Sequence, residues 1–158
     1  MKNTLKYIVL VILASLIGFY IRDSFFETSF SQLKNGTIQL VSHTVGGQFY
    51  SQIVFALSIG IIPLLYLIVQ KITKLKFMYH GLLSCVLILS CGIALWQFRI
   101  LQLNNQLQKL SEFKLDNGVS MDLNIENLYF GRYLCIGFLV GTLISILVFR
   151  KQTKIAAD

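Results

Sequence analysis

Arg132 is the charged residue set deepest in an apolar stretch of this chain, about one turn inside the run 128–149. Arg22 and Arg99 close two other runs on the same side. A charge in lipid costs at least ~2.5–3.5 kcal/mol on insertion scales, which makes such residues functional candidates by default. Three guanidiniums at one depth could form an anion-attracting polar site. The plainer expectation is that each long side chain snorkels to the lipid headgroups. His43 and His80 fall at opposite ends of the runs, so they cannot share a metal or ligate one haem. Neither a metal nor another cofactor is expected. The runs hold no Asp or Glu, the groups that proton-coupled transport normally places in the membrane. Ser58, Ser84, Ser90 and Ser145 have no carboxylate on their own segment to complete an activating pair, and no G-x-S-x-G, P-loop or H-E-x-x-H motif occurs. No catalytic residue is expected, and the chain reads as a non-enzyme.

Cys85, Cys91 and Cys135 all lie within apolar runs, and none is in a connecting loop. That removes a disulfide-stapled outer domain and a C-x-x-C redox pair. It argues against the tetraspanin and claudin families, which the four-span layout superficially resembles.

The elements that must position these residues are the runs themselves, about 5–21, 49–69, 77–98 and 128–149. Each is long enough to cross a hydrocarbon core of about 30 Å as a helix. The 158 residues are 55% hydrophobic and 13% charged, against roughly 25% charged in a soluble domain. The expected architecture is an all-α, four-transmembrane-helix bundle forming one membrane domain over 1–158. Arg22-Asp23-Ser24 after the first run lacks a small-x-small cleavage site, so that run is read as an uncleaved anchor.

Charge sets the expected orientation. With the N-terminus inside, the short inner segments carry Lys2, Lys6, Lys71, Lys74, Lys76, Arg150, Lys151 and Lys154. The longer outer loops, about 22–48 and 99–127, together with Arg132 at the outer end of the fourth run, carry six basic residues balanced by six of the seven acidic ones. The positive-inside rule then places both termini in the cytoplasm, with a bacterial inner membrane as the expected setting. The net charge of +7 lies on the inner face, where anionic lipid is the expected partner. No base-reading motif accompanies it, so nucleic acid is not an expected partner.

The two outer loops look alike. Each begins with helix-like spacing and reaches an Asn-Gly pair, Asn35-Gly36 and Asn117-Gly118, 82 residues apart. Asn-Gly tolerates the positive φ of a tight turn. A short alternating segment follows each, Thr37 to about Val45 and Val119–Ile125, which suits a half-buried strand. Two helix–loop–helix repeats with one orientation, capped by short outer strands, are expected.

Small residues recur four apart in the spans: Ala14/Gly18, Ala56/Gly60 and Gly137/Gly141/Ser145. Such faces let backbones approach, either within the chain or between copies. Pro63 lies inside the second run, where it must interrupt the helix ladder and is a candidate hinge. The composite expectation is an interaction, sensor or accessory subunit of a homo- or hetero-oligomeric membrane complex, partnered by itself or another protein. An oligomeric channel, or a toxin-immunity or phage-defence membrane component, are the alternatives.

Overall fold

A computed structural model of the chain describes residues 2–33, 38–41, 45–73, 78–113, 121–124 and 128–155. The helices are α1 (Lys2–Ser31), α2 (Val45–Gly60), α3 (Ile62–Thr73), α4 (Met78–Phe113) and α5 (Phe130–Ile155). Four helical stretches are long and apolar enough to cross a membrane: Lys6–Ser31, Phe49–Thr73, Tyr79–Lys109 and Phe130–Arg150. In hydrocarbon every backbone N–H and C=O must be satisfied within the chain, which is why such segments take this form. Leu16, Leu82 and Leu147 are more than 60% exposed, and each helix shows further bare apolar side chains. Patches of that extent are untenable in water and ordinary against lipid. The chain is a membrane protein.

Two boundaries differ from the sequence expectation. The first helix does not end near Ile21 but continues ten residues, through Ser31. The added turns hold a ring face in place. Phe25 stacks on Phe55 at 4.2 Å and lies 5.2 Å from Trp96, while Phe30 meets Phe130 edge-on at 6.1 Å. The second span is two helices, broken at Ile61. Pro63 falls in the first turn of α3, where its missing N–H costs least.

Antiparallel packing joins α1 to α2 and α4 to α5, while α5 also touches α2 and α3. One core cluster is Phe55, Leu65, Val69, Ile88, Leu134 and Phe138. A second gathers Ile100, Leu103, Leu128 and Phe130 under Phe25, Phe26, Phe30 and Leu33. This second cluster rests on the distal half of α4, whose 36 residues span about 54 Å at 1.5 Å each. That exceeds the bilayer core by several turns.

The segments β1 (Ile38–Val41) and β2 (Met121–Asn124) run parallel, with Ile38 opposite Met121 and Leu40 opposite Leu123. Four residues a strand make no sheet domain, and the rest of the described chain is helix and short connections. The turns at Asn35-Gly36 and Asn117-Gly118, together with His43 and Glu126, lie outside the described residues.

Candidate functional site

Side-chain links between helices concentrate at the end of the bundle that bears the ribbon. The indole Nε1 of Trp96 on α4 donates to Ser29 Oγ on α1 at 3.0 Å. Ser29 Oγ in turn donates to the carbonyl of Phe25 at 2.7 Å, so a buried hydroxyl serves both helices. One and two turns beyond, Asn104 Nδ2 donates to the carbonyl of Gln32 at 3.1 Å. Ser58 Oγ on α2 is shared between the carbonyls of Val54 (2.6 Å) and Gly131 (3.2 Å), tying α2 to the start of α5. At the opposite end, Tyr7 Oη donates to Gln70 Oε1 at 3.0 Å, joining α1 to α3.

The three arginines of the proposed polar site are each held by a different set of neighbours. Arg22 pairs through Nε with Asp23 Oδ1 at 3.1 Å and lies over the Phe19 ring at 3.9 Å. Its Nη1 is buried with no hydrogen-bond partner among the described residues. Arg99 donates Nε to the carbonyl of Leu128 at 3.0 Å and Nη1 to Gln102 Oε1 at 2.9 Å, with Tyr133 alongside. Arg132 reaches Tyr50 Oη at 3.4 Å and covers the Tyr129 ring at 4.6 Å. Arg99 and Arg132 thus bracket the entry to α5. There Tyr129 takes φ 55°, a left-handed conformation that costs a residue with a side chain roughly 1–2 kcal/mol. The backbone strain is held between an arginine bonded to the preceding carbonyl and one stacked on the strained residue's ring. Arg22 acts apart from them, with partners on its own helix.

The small-residue faces lie between helices of the one chain. A Cβ placed on Gly137 would come within 2.6 Å of the Cys91 carbonyl and Gly92 Cα, and one on Gly141 within 2.8 Å of Ile88 Cα. Ser145 is fully buried one turn further on. The ridge on α5 is therefore seated against α4. Gly18 lies against Ala56 and Ile59, and Gly60 against Ser15, so these residues form the α1–α2 seam; Ala14 is half-buried on the same helix. Ser84 and Ser145 hide hydroxyls that have no partner among the described residues.

Sequence reasoning missed a cleft of about 500 Å³ between the last turns of α1 and the first turns of α2. Its walls include Asp23, Phe26, Glu27 and Phe30 from α1, with Ser51 and Gln52 from α2. The spacing was the available signal. Positions 23 and 27 stand one turn apart, and positions 26 and 30 flank them on the same face, once the helix is known to continue that far. The arrangement offers negative charge beside aromatic faces. Among the described residues no group of three metal-ligating side chains is present. Cys85, Cys91 and Cys135 are free thiols, each half-buried within its helix. Compared with known proteins, the chain matches no family model, no curated sequence and no solved structure.

Proposed function

We propose that this chain is a non-enzymatic subunit of a membrane complex, an interaction or sensor component that presents its ribbon-bearing end outside the cytoplasm. The observation that carries this reading is the overlong α4. Its last turns stand beyond what a bilayer core of about 30 Å can cover, where Asn104 bonds the Gln32 carbonyl of α1, and Trp96–Ser29 ties the same two helices just inside that limit. A helix projecting and braced in this way is a mount for something outside the lipid. The β1–β2 ladder would then be part of a small extracytoplasmic cap. The opposite end, with Lys71 and Arg150, would face the cytoplasm and its anionic lipid, in a bacterial plasma membrane.

A duplicated helix–loop–helix unit accounts for the ladder. In a parallel ladder one residue of each bridged pair turns its amide edge toward the partner strand and the other turns away. A two-fold axis along the strands maps like onto like, so bridged residues in a duplicated pair must differ from the repeat spacing by one. The Asn-Gly pairs are 82 apart and the bridged residues, Ile38 and Met121, are 83 apart. The numbers meet that condition.

The channel alternative is less well supported. Of the five candidates to line a path between copies, Ser84, Thr142 and Ser145 are buried inside one chain, while Ser90 is exposed and Gln97 half-buried. Nothing favours a toxin-immunity or defence role over any other complex. The test has two parts. Cysteines introduced at Asn35 and Asn117 should label from outside intact cells, and one at Lys74 should not. Purification from native membranes with mass analysis should return a partner or a second copy. Labelling of Lys74 on the same face as Asn35, or a lone monomer in native membranes, would refute the reading. Replacing Gly118 with Val should leave insertion intact and weaken partner capture.

A further inference from the structure

The cleft between α1 and α2 is large enough for a small-molecule headgroup, a size at which pockets commonly hold ligands. Its charge is unequal. Arg22 compensates Asp23 through the 3.1 Å pair, while Glu27 has no partner among the described residues. Among the described residues, the lining therefore carries one negative charge with no cation paired to it. Phe26 and Phe30 stand beside it, and aromatic faces attract a cation that has shed part of its water. Ser51 and Gln52 supply oxygen acceptors from the facing helix. Below the cleft, Phe19, Leu16 and Ile12 continue from Asp23 in steps of four, three and four, so they descend one face of α1. Leu16 and Ile12 are bare apolar side chains, 61% and 55% exposed, and Phe19, 43% exposed, carries the Arg22 guanidinium on its ring at 3.9 Å. A negatively charged mouth, with the Arg22–Asp23 pair at its lower edge and the apolar Leu16 and Ile12 beyond, is the complement of a cationic head on a hydrocarbon tail.

We propose that this cleft binds the ammonium group of a monocationic or zwitterionic amphiphile, with the head against Glu27, Asp23 and the two phenyl rings and the tail along the lipid-facing side of α1. Two sources share that chemistry: a membrane lipid with an aminoethyl headgroup, and a soluble long-chain amine. The inference stands apart from the complex-subunit reading. Topology and partner capture do not depend on it, so its failure would leave those results unchanged.

The test uses the full chain in nanodiscs of phosphatidylglycerol, which carries no ammonium group. Dodecylammonium is titrated calorimetrically, with a neutral dodecyl glycoside as the control. Saturable binding of one amine per chain is expected. Glu27→Gln should weaken it by about tenfold, the loss of one close charge partner. Glu27→Lys should abolish it, and Phe30→Leu should weaken it by roughly two- to fivefold through the lost ring face. Rising salt should weaken the wild type in the same direction. Glu27 is exposed on a helix, and circular dichroism checks that the variants keep their helix content. Should Glu27→Lys lose it, Glu27→Gln and the salt series decide. The second arm adds phosphatidylethanolamine to the nanodiscs and counts retained lipid by native mass spectrometry. One retained ethanolamine lipid, lost in Glu27→Gln, assigns the membrane as the source. Amine binding without lipid retention assigns the soluble source and upholds the ammonium chemistry. Equal affinity of dodecylammonium for wild type and Glu27→Gln, or equal affinity of the neutral glycoside, overturns the proposal.

Discussion

The two helix pairs of this protein use the same device, small residues four apart, and obtain seams of different tightness from it. In the α4–α5 pair, Gly137 and Gly141 meet main chain, with Cys91, Gly92 and Ile88 backbone atoms within 3 Å of where a Cβ would stand. In the α1–α2 pair, Gly18 leaves just over 3 Å to Ala56 backbone, and Gly60 faces the side chain of Ser15, which can rotate. The α1–α2 seam is also interrupted at Ile61, beyond which α3 takes over. Burial follows the same order, with 39% of the spanning window of α5 buried against 6% of that of α1. Lipid offers no hydrophobic drive for helices to associate, so closeness of backbone approach decides how much van der Waals contact a seam gains. The second pair is the scaffold of the molecule, and α1 is a peripheral helix fastened mainly at its far end.

Substitutions can break this contrast in order of size. Gly137→Ala should be the most damaging, at about 2–3 kcal/mol, because the added methyl meets backbone that has no rotamer to change. Thermal unfolding in detergent would show it, and a wild-type midpoint would refute the tight seam. Next comes Arg99→Met, at about 1–2 kcal/mol, from loss of the bond to the Leu128 carbonyl that holds the strained entry to α5. Gly18→Ala should cost about 1 kcal/mol, clearly less than Gly137→Ala; equal losses in the same assay would erase the difference between the pairs. Trp96→Phe removes the indole donor to Ser29 along with part of the ring packed near Phe25, and the lost bond alone should cost roughly 1 kcal/mol. Its sharper readout is faster hydrogen exchange in the last turns of α1, with the α4–α5 seam unchanged. Gly46→Ala is the lower bound. A Cβ there meets nothing within 4 Å, so the change should be neutral or stabilise α2 by no more than ~1 kcal/mol.

Much of the site was written in the sequence in fragments that could not be joined there. The arginines at 22, 99 and 132 were visible as charges at span ends, but their grouping was not. Arg99 and Arg132 converge because the chain doubles back at Tyr129, a left-handed residue that no turn signal announces. Asp23 and Glu27 read as ordinary loop acids while α1 was expected to stop near Ile21. They became walls of a cleft because Phe25, Phe26 and Phe30 carry the helix onward by packing against rings more than twenty residues away in the chain.

Sequence by itself determined that the chain holds four stretches long and apolar enough to cross lipid as helices, and that no cysteine lies between them. These follow from hydropathy, length and composition, which act locally and need no partner. Tertiary structure alone decided which face of each span turns inward, which glycines meet backbone, and where a cleft remains. A membrane span is apolar on every side, so the periodic signal that marks the inner face of a soluble helix is missing. Shape complementarity between distant segments has to make that choice.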